Sequence, residues 1–330
     1  MRNEIFPLFT QVFGESWKNK FKEIGTQSNY WNDTVQKHII DPWFIDVYFG
    51  KYGFKVPIKY IQDTNLLDQV LSNNFDSIIY CISLNHHDSQ TNIHHAMDVN
   101  VNPIIQVLER IKGKNQKFIY FSTMQVYGKY KKGDIINEEY PTNPVNNYGL
   151  THLLCENILN LYKNTSSINA CSLRLSNSYG PPVYKSNDCW WLVVNDLCQS
   201  AIKNKNIVLQ SDGHPERDFI NLDDLSLEVE NLLTNLHDLP AIKNICSGST
   251  YSIGSLAKTV SQIAQEKLKI NIPVLNKDGT TFNMEEFDLE DGTILKTSFV
   301  TKHDSLLHKM ELEDGISKML DSLIRGEHLK

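Results

Sequence analysis

The chain has 330 residues, 41% of them hydrophobic and 22% charged, and a formal net charge of -7. This composition describes a soluble globular protein of one large or two medium domains and excludes disordered and collagen-like chains. The net acidity argues against a nucleic-acid-binding surface, which concentrates Lys and Arg on one face, although a single buried Arg can still hold an anionic substrate.

In chain order, Ile5 to Phe13 is the best N-terminal apolar run, but Pro7, Thr10 and Gln11 break it. It is far shorter than the roughly 20 residues that span a bilayer and has no small-residue cleavage site, so neither an anchor nor a secretory signal is expected. From about residue 55, short apolar strands alternate with amphipathic helices, the pattern of a mainly parallel sheet covered on both faces. Strands are predicted at Val56 to Ile61, Asp76 to Ser83, Lys117 to Ser122 and Asn169 to Leu175, with helices at Thr64 to Asn73, Val101 to Ile111 and Asn147 to Tyr162. These make one doubly wound domain over 1–176. Beyond Pro182 the alternation loosens: helices near Trp191 to Lys203, Leu225 to Leu236, Ile253 to Lys267 and Leu312 to Ile324 accompany a strand at Ile207 to Leu209. This smaller mixed α/β part, 177–330, is expected to pack directly on the first, and Ser252 is a candidate N-cap. Cys81, Cys155, Cys171, Cys189, Cys198 and Cys246 form no CxxC pair and read as reduced core thiols of a cytoplasmic protein.

In open α/β sheets ligands bind beyond the carboxyl ends of the strands. There lie Ser122-Thr-Met-Gln-Val-Tyr-Gly128, Pro144-Val-Asn-Asn-Tyr148-Gly-Leu-Thr-His152 and Arg174-Leu-Ser-Asn177-Ser-Tyr-Gly-Pro181; a fourth segment is Arg217-Asp-Phe-Ile-Asn-Leu-Asp-Asp224. In order and spacing these resemble the extended short-chain dehydrogenase/reductase family of nucleotide-sugar epimerases and dehydratases. That family has a Ser/Thr four residues before the Tyr of a VYG, a YxxxK helix start, RxxNxYGP and RDFxxVxD. The resemblance covers roughly residues 60 to 325. It implies a Rossmann-like dinucleotide-binding domain, a nucleotide-sugar domain with chain exchange between the two, and NAD or NADP as cofactor. It also implies a homodimer paired through the helices at 101–111 and 147–162, and a place in polysaccharide or glycoconjugate precursor synthesis.

A Tyr hydroxyl can remove or return the proton of a sugar hydroxyl while hydride moves to or from a nicotinamide, provided its pKa near 10 is lowered. Tyr148 matches that residue, and Thr123 can orient the same sugar oxygen. The plainer alternative has Thr123 capping a turn and Tyr148 merely packing. Asn177 and Arg217 resemble the family's diphosphate contacts, as a guanidinium and an amide suit a dianion. The plainer alternative for Arg217 is a local ion pair with Glu216, Asp218 or Asp224. Asp223 or Asp224 is read as the cap of the helix near Leu225. The resemblance places Gly14, Asp33, Asp63, Ser83 and Asn100 against the cofactor; Asn100 either orders the helix of Tyr148 or caps the one that follows it.

Three departures qualify the resemblance. His152 stands where the family has the lysine that holds the nicotinamide ribose, so redox chemistry is expected to improve as pH falls toward the imidazole pKa. Of the GxxGxxG turn only Gly14 survives, in Leu8 to Trp17, which predicts a weak or unconventional dinucleotide site. Met124 and Gln125 replace the Asp-Glu pair of the 4,6-dehydratases, leaving 4-epimerisation or ketone reduction. His86, His87, Asp88, His94 and His95 read as a solvated loop, and Trp190, Trp191 and Tyr184 as core or base-stacking aromatics. The competing reading is a nucleotide-sugar-binding or scaffold protein that kept the fold and lost the cofactor half.

Overall fold

In chain order the elements are β1 (Tyr48–Gly50), β2 (Gly53–Lys55), α1 (Thr64–Leu71), β3 (Ser77–Tyr80), α2 (His86–Thr91), α3 (Ile93–Ala96), α4 (Asn102–Ile111), β4 (Lys117–Thr123), β5 (Ile135–Ile136), α5 (Asn147–Ser166), β6 (Asn169–Leu175), β7 (Asn177–Tyr179), α6 (Val193–Lys203), β8 (Ile207–Leu209), β9 (Glu216–Asn221), α7 (Leu222–Thr234), β10 (Ile242–Ile245), β11 (Thr250–Ser252), α8 (Ile253–Leu268), β12 (Val274–Asn276), β13 (Ser298–Phe299) and α9 (Leu312–Ile324). The structure, a computed structural model, describes residues 48–50, 53–55, 64–72, 75–114, 116–182, 189–287, 297–303 and 309–326. Gly14, Asp33, Asp63, Tyr184 and the expected strand at 56–61 lie outside the described residues.

The described chain divides into two units. One holds the residues up to Lys129 with Thr142–Leu173 and Val229–Ile242; the other holds Tyr130–Pro141, Arg174–Glu228 and the residues from Lys243 onward.

Of a four-stranded sheet of order β10-β6-β4-β3, the first unit carries β3, β4 and most of β6. Strand β4 is buried at Phe118, Ile119 and Tyr120 in succession, as a parallel strand covered on both faces must be. It pairs in parallel with β3, Tyr80 opposite Tyr120, so Ser83 and Thr123, each three residues further on, leave the sheet at the same carboxyl edge. Helix α4 has Pro103 in its first turn and buries Ile104, Val107, Leu108 and Ile111 at helical spacing. Together with Leu67, Phe118, Tyr120 and Leu159 they form the core of this unit. The core of the second unit is built on Val194, Leu197, Val260, Ile316 and Leu320, beside small sheets of order β11-β9-β7, β12-β8 and β13-β5.

Several expectations are corrected. Strand β3 stops at Tyr80, before Ser83, and beyond it the Leu84 N–H donates to the side chain of Asn100 at 2.7 Å rather than to a neighbouring strand. Helix α7 starts at Leu222, not Leu225, and its first turn is closed by Asn221 Oδ1 accepting from the Asp223 N–H at 2.8 Å. Neither Asp223 nor Asp224 is the cap; buried Asp224 accepts from the Met310 N–H at 2.8 Å. Strand β10 was not expected because its middle residues, Lys243 and Asn244, are polar. Both are buried: Lys243 pairs with Glu228 at 2.7 Å, and Asn244 donates to the carbonyls of Ile136 and Val300. Ser252 does cap α8, accepting from the Ser255 N–H at 3.0 Å. None of the six cysteines forms a disulfide, and Cys81 is exposed rather than in the core. Among the described residues no helix is long and apolar enough to cross a membrane.

Candidate active site

Two short-range devices set Tyr148 beside the end of β4. Thr123, still extended, accepts the Gln125 N–H on its Oγ1 at 3.2 Å and starts a 3-10 turn, Met124–Tyr127. Asn146 caps α5 by accepting the Gly149 N–H at 2.7 Å, and its amide donates to Gln125 Oε1 at 2.9 Å. Gly149 has to be glycine, since a Cβ there would lie 2.7 Å from the Gln125 carbonyl oxygen. Gly128, at φ 68, closes the same turn, and a Cβ there would overlap the Asn143 carbonyl. Thr123 therefore does cap a turn, and it lies near enough to Tyr148 to lower the pKa of its phenol.

Burial pushes the Tyr148 phenol up to about 12, outweighing the lowering effect of Thr123. The lowered value that general-base work needs is absent from the chain by itself.

His152 follows Tyr148 by one helical turn, and the two rings stand edge to face with centroids 4.4 Å apart. It is buried and bonded at both nitrogens. Ser83 Oγ donates to the Leu84 carbonyl at 2.8 Å, so toward His152 it accepts: Nε2–H donates to Ser83 at 3.1 Å. Nδ1 then accepts from the Tyr120 hydroxyl at 2.6 Å. Burial pushes the imidazole pKa down to about 4, so the ring is neutral at physiological pH, and its contacts with Ser83 and Tyr120 assign the proton to Nε2. The expectation that activity climbs as pH falls toward the imidazole pKa is therefore moved into strongly acid solution. Tyr120, fully buried, is held well above the usual phenol range by burial.

Asn100 joins the loop after β3 to α5. Its Oδ1 accepts the Leu84 N–H, and its Nδ2 donates to Thr151 Oγ1 at 2.9 Å. It caps nothing: α4 begins after Val101 without a side-chain cap. The structure thus brings together Ser83, Asn100, Thr123, Tyr148 and His152.

Asn177 and Arg217 lie in the second unit on the paired strands β7 and β9, with Asn177 opposite Phe219. Asn177 Nδ2 donates to the Asp218 carbonyl at 3.0 Å. Exposed Arg217 donates to the Glu216 carbonyl at 2.8 Å. The three carboxylates considered as its partners are engaged elsewhere: Glu216 faces Lys132 at 3.7 Å, Asp224 holds Met310, and Asp218 accepts from the Ser247 and Gly248 N–H groups at 2.9 and 2.8 Å. Trp190 packs on the core of this unit, while Trp191 is exposed.

Sequence reasoning missed Tyr120 and His86. Tyr120 has the same inward parity as Phe118 on β4, a signal available in the sequence. His86, read as part of a solvated loop, instead packs edge-on to Tyr148 with ring centroids 6.0 Å apart.

A mainly parallel α/β sheet with a Thr–Tyr pair at its carboxyl edge defines a Rossmann-like protein of the extended short-chain dehydrogenase/reductase class. Over residues 57–246 the sequence matches the NAD dependent epimerase/dehydratase family, and the chain belongs to it. It is 27% identical over 199 residues to a Methanocaldococcus jannaschii protein whose name assigns it as a UDP-glucose 4-epimerase. That match spans 59% of this chain and 63% of the relative, less than two thirds of its length. In fold the chain is similar to the UDP-glucose 4-epimerase of Thermotoga maritima solved with UDP-glucose, at TM-score 0.66 and 18% identity over 81% of this chain and 83% of that one. It is equally similar, at TM-score 0.66 and 17% identity over 82% and 83%, to the UDP-N-acetylglucosamine 4-epimerase of Methanobrevibacter ruminantium in complex with UDP-N-acetylmuramic acid. At these identities the likeness is one of fold.

Proposed function

We propose that the protein is a nicotinamide-dependent oxidoreductase acting at a ring carbon of a nucleotide-sugar, as a 4-epimerase or a 4-keto reductase. The observation that carries this reading is the placement of Tyr148 beside Thr123, the residue that ends β4 at its carboxyl edge. The residues at that edge fit the nicotinamide end of NAD or NADP through the exposed Ser83 hydroxyl and the partly open Tyr148 ring, and not through His152, whose two nitrogens are committed inside the protein. A nicotinamide supplies hydride acceptance and return when bound. Within the chain, Thr123 orients the reacting oxygen and Tyr148 holds the transferable proton on Oη. With its pKa pushed up to about 12, the phenol is protonated at neutral pH and is ready to donate to a ketone oxygen. To work as a base it needs a nearby positive charge that neutral His152 does not provide.

Buried Met124 has a thioether and Gln125 an amide tied to Asn146, and neither exchanges protons; we therefore propose no elimination of water. Asn177 and Arg217 are proposed to hold the diphosphate. Free cysteines fit a reducing cytoplasm, and exposed Leu150 and Leu161 on α5 support a homodimer paired through that helix. The sequestered His152 favours the second reading, a nucleotide-sugar-binding protein without redox turnover. Mass spectrometry and absorbance of the purified protein for bound NAD(H) or NADP(H), followed by titration, separate the two. Bound or millimolar-saturable dinucleotide is expected. None at millimolar concentration rejects the redox reading, and nucleotide-sugar binding alone supports the second.

A further inference from the structure

Three elements meet at Ser83. The serine follows β3 at the carboxyl edge of the sheet and is exposed. His152 reaches it from α5, and Tyr120 backs His152 from β4. Both of those residues are buried, so an open hydroxyl is held from inside the protein. The residue after the serine is fixed as well. The Leu84 N–H donates to Asn100 Oδ1 at 2.7 Å, and Asn100 Nδ2 donates at 2.9 Å to Thr151, the neighbour of His152.

The polarity of the Ser83 hydroxyl follows from a count of its bonds. A serine hydroxyl has one proton and two lone pairs. The proton goes to the Leu84 carbonyl at 2.8 Å, and one lone pair takes the His152 Nε2–H at 3.1 Å. In the other imidazole tautomer the serine proton would turn to Nε2 instead. Either way the proton is spent on the protein, and what remains for a ligand is a lone pair. Ser83 therefore offers an acceptor, which suits a hydroxyl and not the oxygen of a phosphate or carboxylate. It belongs to the same site as the phenol, because the His152 ring that bonds it stands 4.4 Å, centroid to centroid, from the Tyr148 ring.

We propose that Ser83 is a ligand-binding residue that accepts a hydrogen bond from a sugar hydroxyl, with His152 as the positioning residue that holds it. The inference rests on the function proposed above. It gives His152 a part in binding without contact to the ligand, since the imidazole acts through the serine. The hydroxyl has two sources, the ribose at the nicotinamide end of the dinucleotide or the hexose of the nucleotide-sugar.

The test is calorimetric titration of the full-length protein with NAD and, separately, with UDP-glucose, using wild type, Ser83→Ala, Ser83→Thr and His152→Leu. Losing the acceptor is expected to weaken one of the two ligands about tenfold in Ser83→Ala; Ser83→Thr, which keeps a hydroxyl, and the other ligand stay within about threefold of wild type. A loss for NAD assigns the ribose, and a loss for UDP-glucose assigns the hexose. The responding ligand is then titrated as its monofluoro derivatives, in which fluorine replaces one hydroxyl of that sugar and removes its proton. One derivative is expected to bind wild type about tenfold more weakly than its parent, and to bind Ser83→Ala no worse than its parent, because the two changes delete the same bond. In His152→Leu that penalty shrinks to about threefold or less, a change that a purely structural role of the imidazole would not produce. NAD and UDP-glucose both binding Ser83→Ala as wild type, or every fluoro derivative binding wild type as its parent does, overturns the proposal alone. A full fluorine penalty in His152→Leu overturns the part given to His152. Neither ligand binding wild type at millimolar concentration overturns the proposal together with the proposed function.

Discussion

Tyr148 is half-buried, in surroundings that push its pKa up to about 12, and the imidazole one turn along its helix is bonded at both nitrogens. Arg217, on β9 of the second unit, is exposed, and the carboxylates nearest it in sequence have other partners. The difference follows from what each group is asked to do. A proton donor has to be held within tenths of an ångström of one orientation, and burying its polar neighbours is tolerable only when each is paired. A guanidinium meant for a dianionic ligand gains from staying open until the ligand arrives.

The comparison can be broken first at Tyr148. Tyr148→Phe removes the proton donor while leaving the ring; turnover is expected to fall about a thousandfold, within the range of general acid–base contributions, with UDP-sugar affinity within about threefold. Unchanged turnover in a steady-state assay would place the chemistry elsewhere.

Next is the acid stability of the enclosed region. His152 titrates near 6.5 when unfolded and near 4 when folded. Between those values the unfolded chain binds a proton at this residue and the native chain does not, so stability is present above the unfolded pKa and drains away as pH falls toward 4. At ~1.4 kcal/mol per pH unit the window amounts to about 3 kcal/mol. Urea midpoints from pH 7 to 4 should fall more steeply for wild type than for His152→Gln; parallel curves would mean that His152 is protonated in the fold.

Arg217→Ala should weaken UDP-glucose binding about tenfold to a hundredfold, the worth of hydrogen bonds to a charged group, and leave the acid limb of the first unit untouched. Calorimetry on the variant checks both halves of that statement. The smallest effect is expected at the helix cap: Asn146→Ala should cost about 1 kcal/mol of stability, measured by denaturation. A cost near zero would show that the Gly149 N–H and Gln125 find other partners.

The Thr123–Tyr148 pair was legible because its residues follow a strand and open a helix at recognisable spacing, and the strands that start at Lys117 and Asn169 and the helix that starts at Asn147 were legible from the alternation of apolar strands and amphipathic helices. The state of His152 was not. Its partners are 69 and 32 residues away, and only the register of β3 on β4 brings Ser83 and Tyr120 to one place. A sequence shows an imidazole, and burial decides whether it carries charge. Strand β10 was hidden for a related reason, since Lys243 reads as surface until Glu228 is found beside it. His86 was dismissed with its neighbours because adjacent histidines look alike in sequence, while the fold turns one toward Tyr148 and leaves His87 exposed.

The claim at the centre is that Tyr148 serves hydride chemistry at a nucleotide-sugar carbon. It is tested most directly by incubating the protein with a nucleotide 4-ketosugar and NADH or NADPH carrying deuterium at the transferable position, followed by NMR of the product. Deuterium at C4 of the product sugar with wild type, and about a thousandfold less with Tyr148→Phe, is the expected result. No deuterium on the sugar after prolonged incubation with either saturating cofactor would contradict it.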